Sequence, residues 1–468
     1  MTRTIKNTLV PVNRFPPEIL FRILEYRTRE CDLVAATQVC RYWRSTLISG
    51  PSLWTYFQFQ DKSRHNIDRT LTYLERSKSA PINVSIHSSS EQNLDVLKPL
   101  TPHIARMRSL VFQVSHDIYT ASRLFCNPAP LLQHLEIRTS EGVVHLPDNF
   151  LGQRAPSLRS VNFYRTCPRL EFLFPLPNLT EFHLSLVDDT TPFRVGAPFQ
   201  FLSESPLLQK ISVDVHDRIV QDVSLDKVIS LESLVDLDCG CNCAGQLLPF
   251  LRLPRLKRLR VTSTRSRQTQ TLADFLPYGG RALLAGVTKI FHYLDKYGHS
   301  HRVELSGNEF DVSFCAFHIR TNTTLIDWSP DQTFVPFGQI EDLKLEGSAP
   351  TPTGLPIDVF ALENLRVLRM ALWSEETTEE LLRSLHPGPG VAEVPCRFLQ
   401  EIEYSFWKYQ GLGLPGLFVS LVRERKHAGY QMRLVSLVIR RDAFHQDLLE
   451  KLKEHVGEVR TRELDEGV

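Results

Sequence analysis

The sequence has no apolar run approaching the roughly 18 residues that a membrane-spanning helix needs. Met1 to Phe15 lacks the apolar stretch of a secretion signal. No charge of one sign dominates: 54 Lys and Arg stand against 53 Asp and Glu, a net charge of +1. That balance argues against a surface given over to phosphate contacts, so no nucleic-acid or membrane partner is expected. The nine Cys are scattered and odd in number, which is no disulfide framework. Reduced thiols in the cytoplasm or nucleus are the expectation. The patterns G-x-x-x-x-G-K-[ST], H-E-x-x-H and G-x-S-x-G are all absent, so the phosphate-cradling, zinc-protease and serine-hydrolase chemistries they mark have no anchor. The chain reads as one that catalyses no reaction itself and needs no cofactor or metal.

What is present is length and punctuation. At 468 residues the chain is too long for one hydrophobic core, which stops growing at about 250–300 residues. Hydrophobic residues at 42% and charged residues at 23% exclude a disordered or fibrous chain. The 29 prolines recur between apolar segments and predict many short elements.

Pro17 suits the first turn of a helix, and Glu18 sits near the positive end of its dipole. Ile19, Leu20, Phe21, Ile23 and Leu24 leave only a narrow polar stripe of Glu18, Arg22 and Glu25, so this helix wants burial on more than one side. Asp32 is placed to cap a second helix over 33–39. A third runs over 41–48 with Tyr42, Trp43 and Leu47, and Gly50-Pro51 ends it. Three helices in so short a stretch make too small a core to stand alone, so the surplus apolar surface must be covered by the rest of the chain or by another protein.

Phe15-Pro16-Pro17-Glu18-Ile19-Leu20, Ile23-Leu24, Asp32-Leu33, Val39-Cys40-Arg41-Tyr42-Trp43-Arg44 and Pro51-Ser52-Leu53-Trp54 resemble an F-box in order and spacing over 13–59. The likeness is greatest to the F-box proteins abundant in mushroom-forming fungi. Phe15 stands where that family usually has Leu. The resemblance implies a partner, the adaptor subunit of a cullin–RING ubiquitin ligase, and places Pro16, Ile19, Leu20, Val39, Cys40 and Trp43 at that contact, with some of them able to pack internally instead.

Beyond a linker helix in 60–79, a pattern of apolar, two residues, apolar, one residue, apolar recurs. It starts at Met107, Leu132, Leu158, Leu179, Leu208, Leu234, Leu256, Ile340, Leu365, Leu399 and Leu434. A short strand that buries alternate residues, entered through a turn fixed by the leading apolar residue, explains the spacing. Most intervals fall in or near the leucine-rich-repeat range of about 20–29 residues. The chain over 80–441 therefore resembles a degenerate leucine-rich-repeat solenoid with a parallel concave sheet, an α/β fold. The interval between 256 and 340 reads as two divergent repeats or an insertion. Phe444, Leu448, Leu449, Leu452 and Val456 have helical spacing and Gly457 ends it, which gives a capping helix and tail over 442–468.

Three further clusters carry residue types that could support chemistry. Gly411-Leu412-Gly413-Leu414-Pro415-Gly416 matches G-x-G-x-x-G but lacks the acidic residue about 20 positions on that dinucleotide binding requires. Cys239, Cys241 and Cys243 are too closely spaced for a usual structural zinc site. His292, His299, His301, Cys315 and His318 are gathered in the divergent interval. The reading that follows is a substrate-recruiting ligase subunit, with a non-ligase scaffold or a nucleotide-binding enzyme as alternatives. For an unknown target protein, the candidate contacts are Tyr164, Arg258 and Arg260, since aromatic and Arg side chains on outward strand positions are hot-spot types; the segment 263–335 is the second candidate.

Overall fold

The computed structural model describes residues 10–25, 30–60, 66–88, 95–114, 122–140, 144–167, 176–186, 193–194, 201–215, 219–220, 228–240, 244, 248–263, 276–280, 284–294, 300–307, 310–317, 335–347, 359–372, 375–387, 394–405, 413–439 and 446–463. The chain divides into two compact units, Met1–Asp222 and Val223–Val468. Both contribute to a mixed α/β fold in which parallel strand pairing dominates.

The first unit opens with three helices, α1 (Pro17–Glu25), α2 (Glu30–Thr37) and α3 (Arg41–Ser49). Pro17 begins α1 with Glu18 in its first turn. Asp32, expected as a cap, lies inside α2. The helix starts two residues before Asp32, at Glu30. Cys40 takes the cap position of α3, its Sγ accepting the Trp43 N–H at 3.5 Å. Gly50 follows α3 where a Cβ would stand 2.7 Å from the Phe21 ring, so a larger residue here would have to displace that ring.

No free linker separates these helices from the sheet. Trp54, in a 3-10 turn over Pro51–Trp54, is wholly buried and donates from Nε1 to the Leu47 carbonyl at 2.9 Å. Its ring meets Tyr73 edge-on at 4.9 Å and lies 4.3 Å from the Arg76 guanidinium, both on α4 (Asn66–Ser77). Strand β1 (Tyr56–Gln60) then pairs in parallel with β2 (Ile82–Ser88). The residues of β1, assigned from the sequence mostly to the helical unit, are thus the first strand of the sheet, because Phe57 and Phe59 alternate into its core.

From β2 the sheet runs through β3 (Met107–Val114), β4 (His134–Thr139), β5 (Ser160–Tyr164), β6 (Glu181–Leu186) and β7 (Lys210–Val215), each parallel to the one before. Register aligns the expected apolar positions in rows: Leu110, Leu135, Val161, Phe182, Ile211 and Phe112, Ile137, Phe163, Leu184, Val213, all buried. Each strand is entered by the same backbone bond, Gln133 N–H to Arg108, Arg159 to Gln133, Thr180 to Arg159 and Gln209 to Thr180. Behind the sheet a file of rings, Phe112, Phe125, Phe150, Phe163, Phe182 and Phe201, has successive centroids 5.4, 5.9, 6.1, 6.4 and 5.0 Å apart.

The second unit begins the same way with β8 (Asp236–Gly240) parallel to β9 (Arg258–Ser263). The long interval then proves to be an insertion. Strands β10 (Val287–Leu294), β11 (Ser300–Gly307) and β12 (Asp311–Phe317) form an antiparallel meander traversed backwards, with β12 beside β9 and β10 beside β13 (Asp342–Gly347). Only residues 295–299 and 308–310 make the two connections, too few for the crossover of a dozen or more that a parallel pair needs. A Cβ at Gly307 would lie 2.1 Å from the Gly286 carbonyl oxygen, so the meander closes only on glycine.

Parallel pairing resumes through β14 (Val367–Leu372), β15 (Glu401–Ser405) and β16 (Leu434–Ile439). Here the expected frame is off by two: the repeat starts at Met432 and not at Leu434, so the inward pair is Val435 and Leu437 where Leu437 and Ile439 were expected. Val435 and Leu437 face the core beside Ile402 and Tyr404, with Met432 buried ahead of them, while Leu434 is half-exposed. A shift of two keeps Leu437 on the inward face, and Val435, Leu437 and Ile439 are all apolar, so alternation alone fits both starts. The C-terminal helix is also no cap. Helix α7 (Gln446–His455) leads into a further strand, β17 (Glu458–Glu463), parallel to β16. Two further helices, α5 (Glu375–Ser384) and α6 (Gly413–His427), precede it in the crossovers after β14 and β15.

Candidate partner-binding surfaces

The three N-terminal helices hold one apolar set inside and present another. Leu20 is fully buried, as is Leu47. Ile19 is 45% exposed, Ile23 44% and Val39 61%, and Phe15, Val34, Tyr42 and Ile48 are exposed too. Ile19 and Ile23 share one helix face by their spacing of four. The expected contact set therefore divides. Pro16, Ile19 and Val39 are at the surface and Cys40 and Trp43 are half-buried, but Leu20 packs inside the unit and offers nothing to a partner. Ile23 and Val34 were not singled out from the sequence for this face, although the i, i+4 spacing of Ile19 and Ile23 carried the signal for one of them. Polar bonds hold the surface in shape. Trp43 Nε1 donates to Asn13 Oδ1 at 2.7 Å, the Tyr42 hydroxyl to the Phe15 carbonyl at 2.9 Å, and Arg44 Nε to the Thr37 carbonyl at 3.0 Å.

The outward strand positions are mostly polar among the described residues, with Phe291 and Tyr293 among the exceptions. In the first unit Tyr164 is sandwiched, with the Arg138 guanidinium 4.0 Å from its ring centroid and the His183 ring 4.5 Å away. Burial holds the His183 pKa below its ordinary value; Asp214 opposes this, and Arg138 and Lys210 add to it. The folded state thus favours neutral His183, while the unfolded chain binds a proton below about pH 6.5. Its stability contribution is complete above that value and is lost as pH falls toward the depressed folded pKa. Lowering the pH from 7.5 to 5.5 should therefore lower the melting temperature of the native chain more than that of His183→Gln. Parallel pH–melting curves for the two proteins would refute this.

Arg258 and Arg260 belong to the second unit, and both are engaged. Arg258 Nη2 lies 3.0 Å from Asp236 Oδ2, and Arg260 Nη1 lies 3.5 Å from Asp238 Oδ2. The register places these pairs directly opposite each other on β8 and β9.

Of the clusters whose residue types could support chemistry, Cys241, Cys243, His299 and His318 lie outside the described residues, as do Gly411 and Leu412. Cys239 and His292 are buried in the sheet core. Gly413 to Gly416 form the start of α6. Among the described residues, no group of three His, Cys, Asp or Glu is gathered to hold a metal ion, and no helix is long and apolar enough to cross a membrane.

Residues 12–60 match the F-box-like family, a segment that takes in the three helices, the buried Trp54 and strand β1. A comparison with curated proteins finds no match to the chain.

Proposed function

We propose that this protein is the substrate-recruiting subunit of an F-box-type cullin–RING ubiquitin ligase. Its helical unit holds the adaptor, and its sheets, read as a degenerate leucine-rich-repeat solenoid with a concave parallel face, hold a target protein. The observation that carries the first half is the set of exposed apolar side chains, Ile19, Ile23, Val34 and Val39, on an F-box-like domain whose own core is already closed by Leu20 and Leu47. Regular strand entry and aligned apolar rows support the second half. The chain makes and breaks no bonds in this reading; it raises the target's effective concentration near the ubiquitin donor.

The direct packing of Trp54 on α4 fits that role, since a target held by the first sheet would keep a set distance from the adaptor. Replacing both Ile19 and Val39 by Asp in the full chain is expected to abolish adaptor co-purification from cells. The melting curve should stay within a few degrees, because both side chains are exposed and surface changes usually cost within about 0.5 kcal/mol each. Leu20→Ala should do the reverse, losing about 2–5 kcal/mol of stability as a core truncation. Full adaptor recovery with the double Asp variant would overturn the proposal. Unchanged target half-life on deletion of a functional gene would favour the non-ligase scaffold.

A further inference from the structure

On the outward face of the second unit almost every charge already has a partner. Arg258 and Arg260 pair with Asp236 and Asp238, Arg302 with Glu304, and Lys344 with Glu346 at 2.8 Å. Strand β10 of the inserted meander is different. Lys289 stands opposite Asp342 in the register, yet Asp342 gives both carboxylate oxygens to Arg369 Nη1, at 2.5 and 2.6 Å. Burial lowers the Arg369 pKa, but the Asp342 hydrogen bond and charge outweigh it and raise the value, so that pair is firm. Lys289 is left exposed, with no ion pair among the described residues.

Two and four residues on, Phe291 and Tyr293 share its face of the sheet, spaced by about 7 Å per two residues. Both are half-exposed, at positions where the flanking strands β11 and β13 carry Arg302, Glu304, Asp342, Lys344 and Glu346. Lys344 Nζ lies 4.5 Å from the Phe291 ring centroid, which fixes one side of the aromatic pair.

We propose that Lys289, Phe291 and Tyr293 form a docking site for a protein segment that presents a carboxylate beside an apolar side chain. The inference rests on the substrate-recruiting reading and names the surface and chemistry by which a target is held. The free ammonium supplies the charge complement, and the rings supply apolar area of the kind found at hot spots. An interruption of an otherwise regular parallel ladder is also where a functional departure is expected. Aromatic pairs beside lysines also stack nucleic-acid bases. Here, however, Glu304, Asp342 and Glu346 are each paired with Arg302, Arg369 or Lys344, which leaves the single charge of Lys289 and not the row of cations that a phosphate backbone takes, and this favours protein.

The test uses the full chain co-expressed with its adaptor and an arrayed library of 12-residue peptides. Each peptide carries one Leu, Phe or Trp and one to three Asp or Glu, beside a matched peptide with Lys in place of the acids. Hits are measured by fluorescence anisotropy. The acidic peptides should bind better than their Lys counterparts. Lys289→Glu should weaken them about tenfold or more and shift preference toward the Lys peptides; Phe291→Ser with Tyr293→Ser should weaken both sets. Adaptor recovery is measured in every sample, so loss of the adaptor strikes the ligase reading and not this site. The site is refuted by an acidic preference that survives Lys289→Glu, by no preference at all, or by tighter binding of a 20-nucleotide single strand that Phe291→Ser with Tyr293→Ser abolishes.

Discussion

Phe163→Asp is expected to unfold the first unit, whereas Asn162→Asp next to it leaves the protein intact. Phe163 is 1% exposed, and its ring lies between Phe150 at 6.1 Å and Phe182 at 6.4 Å in the aromatic file. A carboxylate there has no cation to pair with in the row of Ile137 and Leu184, and an unpaired buried charge costs several kcal/mol. That is a large fraction of the 5–15 kcal/mol that typically holds a folded protein. Asn162 points to the opposite face, half-exposed between Glu136 and His183, so its substitution should cost about 0.5 kcal/mol or less. Melting by circular dichroism separates the two. Equal midpoints would overturn the assignment, and a lower midpoint for Asn162→Asp would mean that the strand is turned by one residue, since a one-residue slip exchanges the faces.

The second large effect is expected at Arg425, a fully buried cation in α6. Its hydrogen bonds go to backbone carbonyls: Nη1 donates to Leu385 at 3.4 Å and Pro395 at 2.8 Å, and Nη2 to Cys396 at 2.8 Å. Leu385 follows the last turn of α5, whose terminal carbonyls have no helical donor, so the guanidinium closes that end. Cys396 holds a backbone φ of 47°, which costs a residue with a Cβ about 1–2 kcal/mol, and Arg425 ties it in place. Burial pushes the Arg425 pKa down, opposed by Cys396 and Tyr430, but a guanidinium stays charged at neutral pH.

Arg425→Leu fills the space with apolar atoms and orphans the carbonyls, at about 1–3 kcal/mol for each that water does not reach. A loss of about 3 kcal/mol or more in urea unfolding is the expected result. Arg425→Lys should recover less than half, since one ammonium cannot span the fork of three acceptors. A Leu variant as stable as the native chain would show that these bonds contribute nothing net.

The two surfaces differ in how far they can be read from residues. On α1 the apolar stretch Ile19 to Leu24 announces burial on more than one side, but it cannot assign sides. In the folded unit Leu20 is fully buried, while Ile19 and Ile23 stay exposed. On the sheets, alternation placed Tyr164, Arg258 and Arg260 outward. The acidic strand next to a basic one already allowed Arg258 and Arg260 to pair with Asp236 and Asp238, but that these pairs form, and that Arg138 and His183 enclose Tyr164, is set by register.

Composition and spacing by themselves determined the helical unit, the strand positions and their inward residues. Each of these rests on contacts within one short segment or on a period of two, which the order of residue types records directly. The frame of β16, the strand after α7 and the reversed meander were decided only by tertiary structure. A strand apolar at Val435, Leu437 and Ile439 fits two repeat starts on the same face until a neighbour sets its register, and the short connections of β10, β11 and β12 constrain pairing only once their strands lie side by side. The free charge of Lys289 is of the same kind. It exists because Arg369, far along the chain, takes the carboxylate that Lys289 faces.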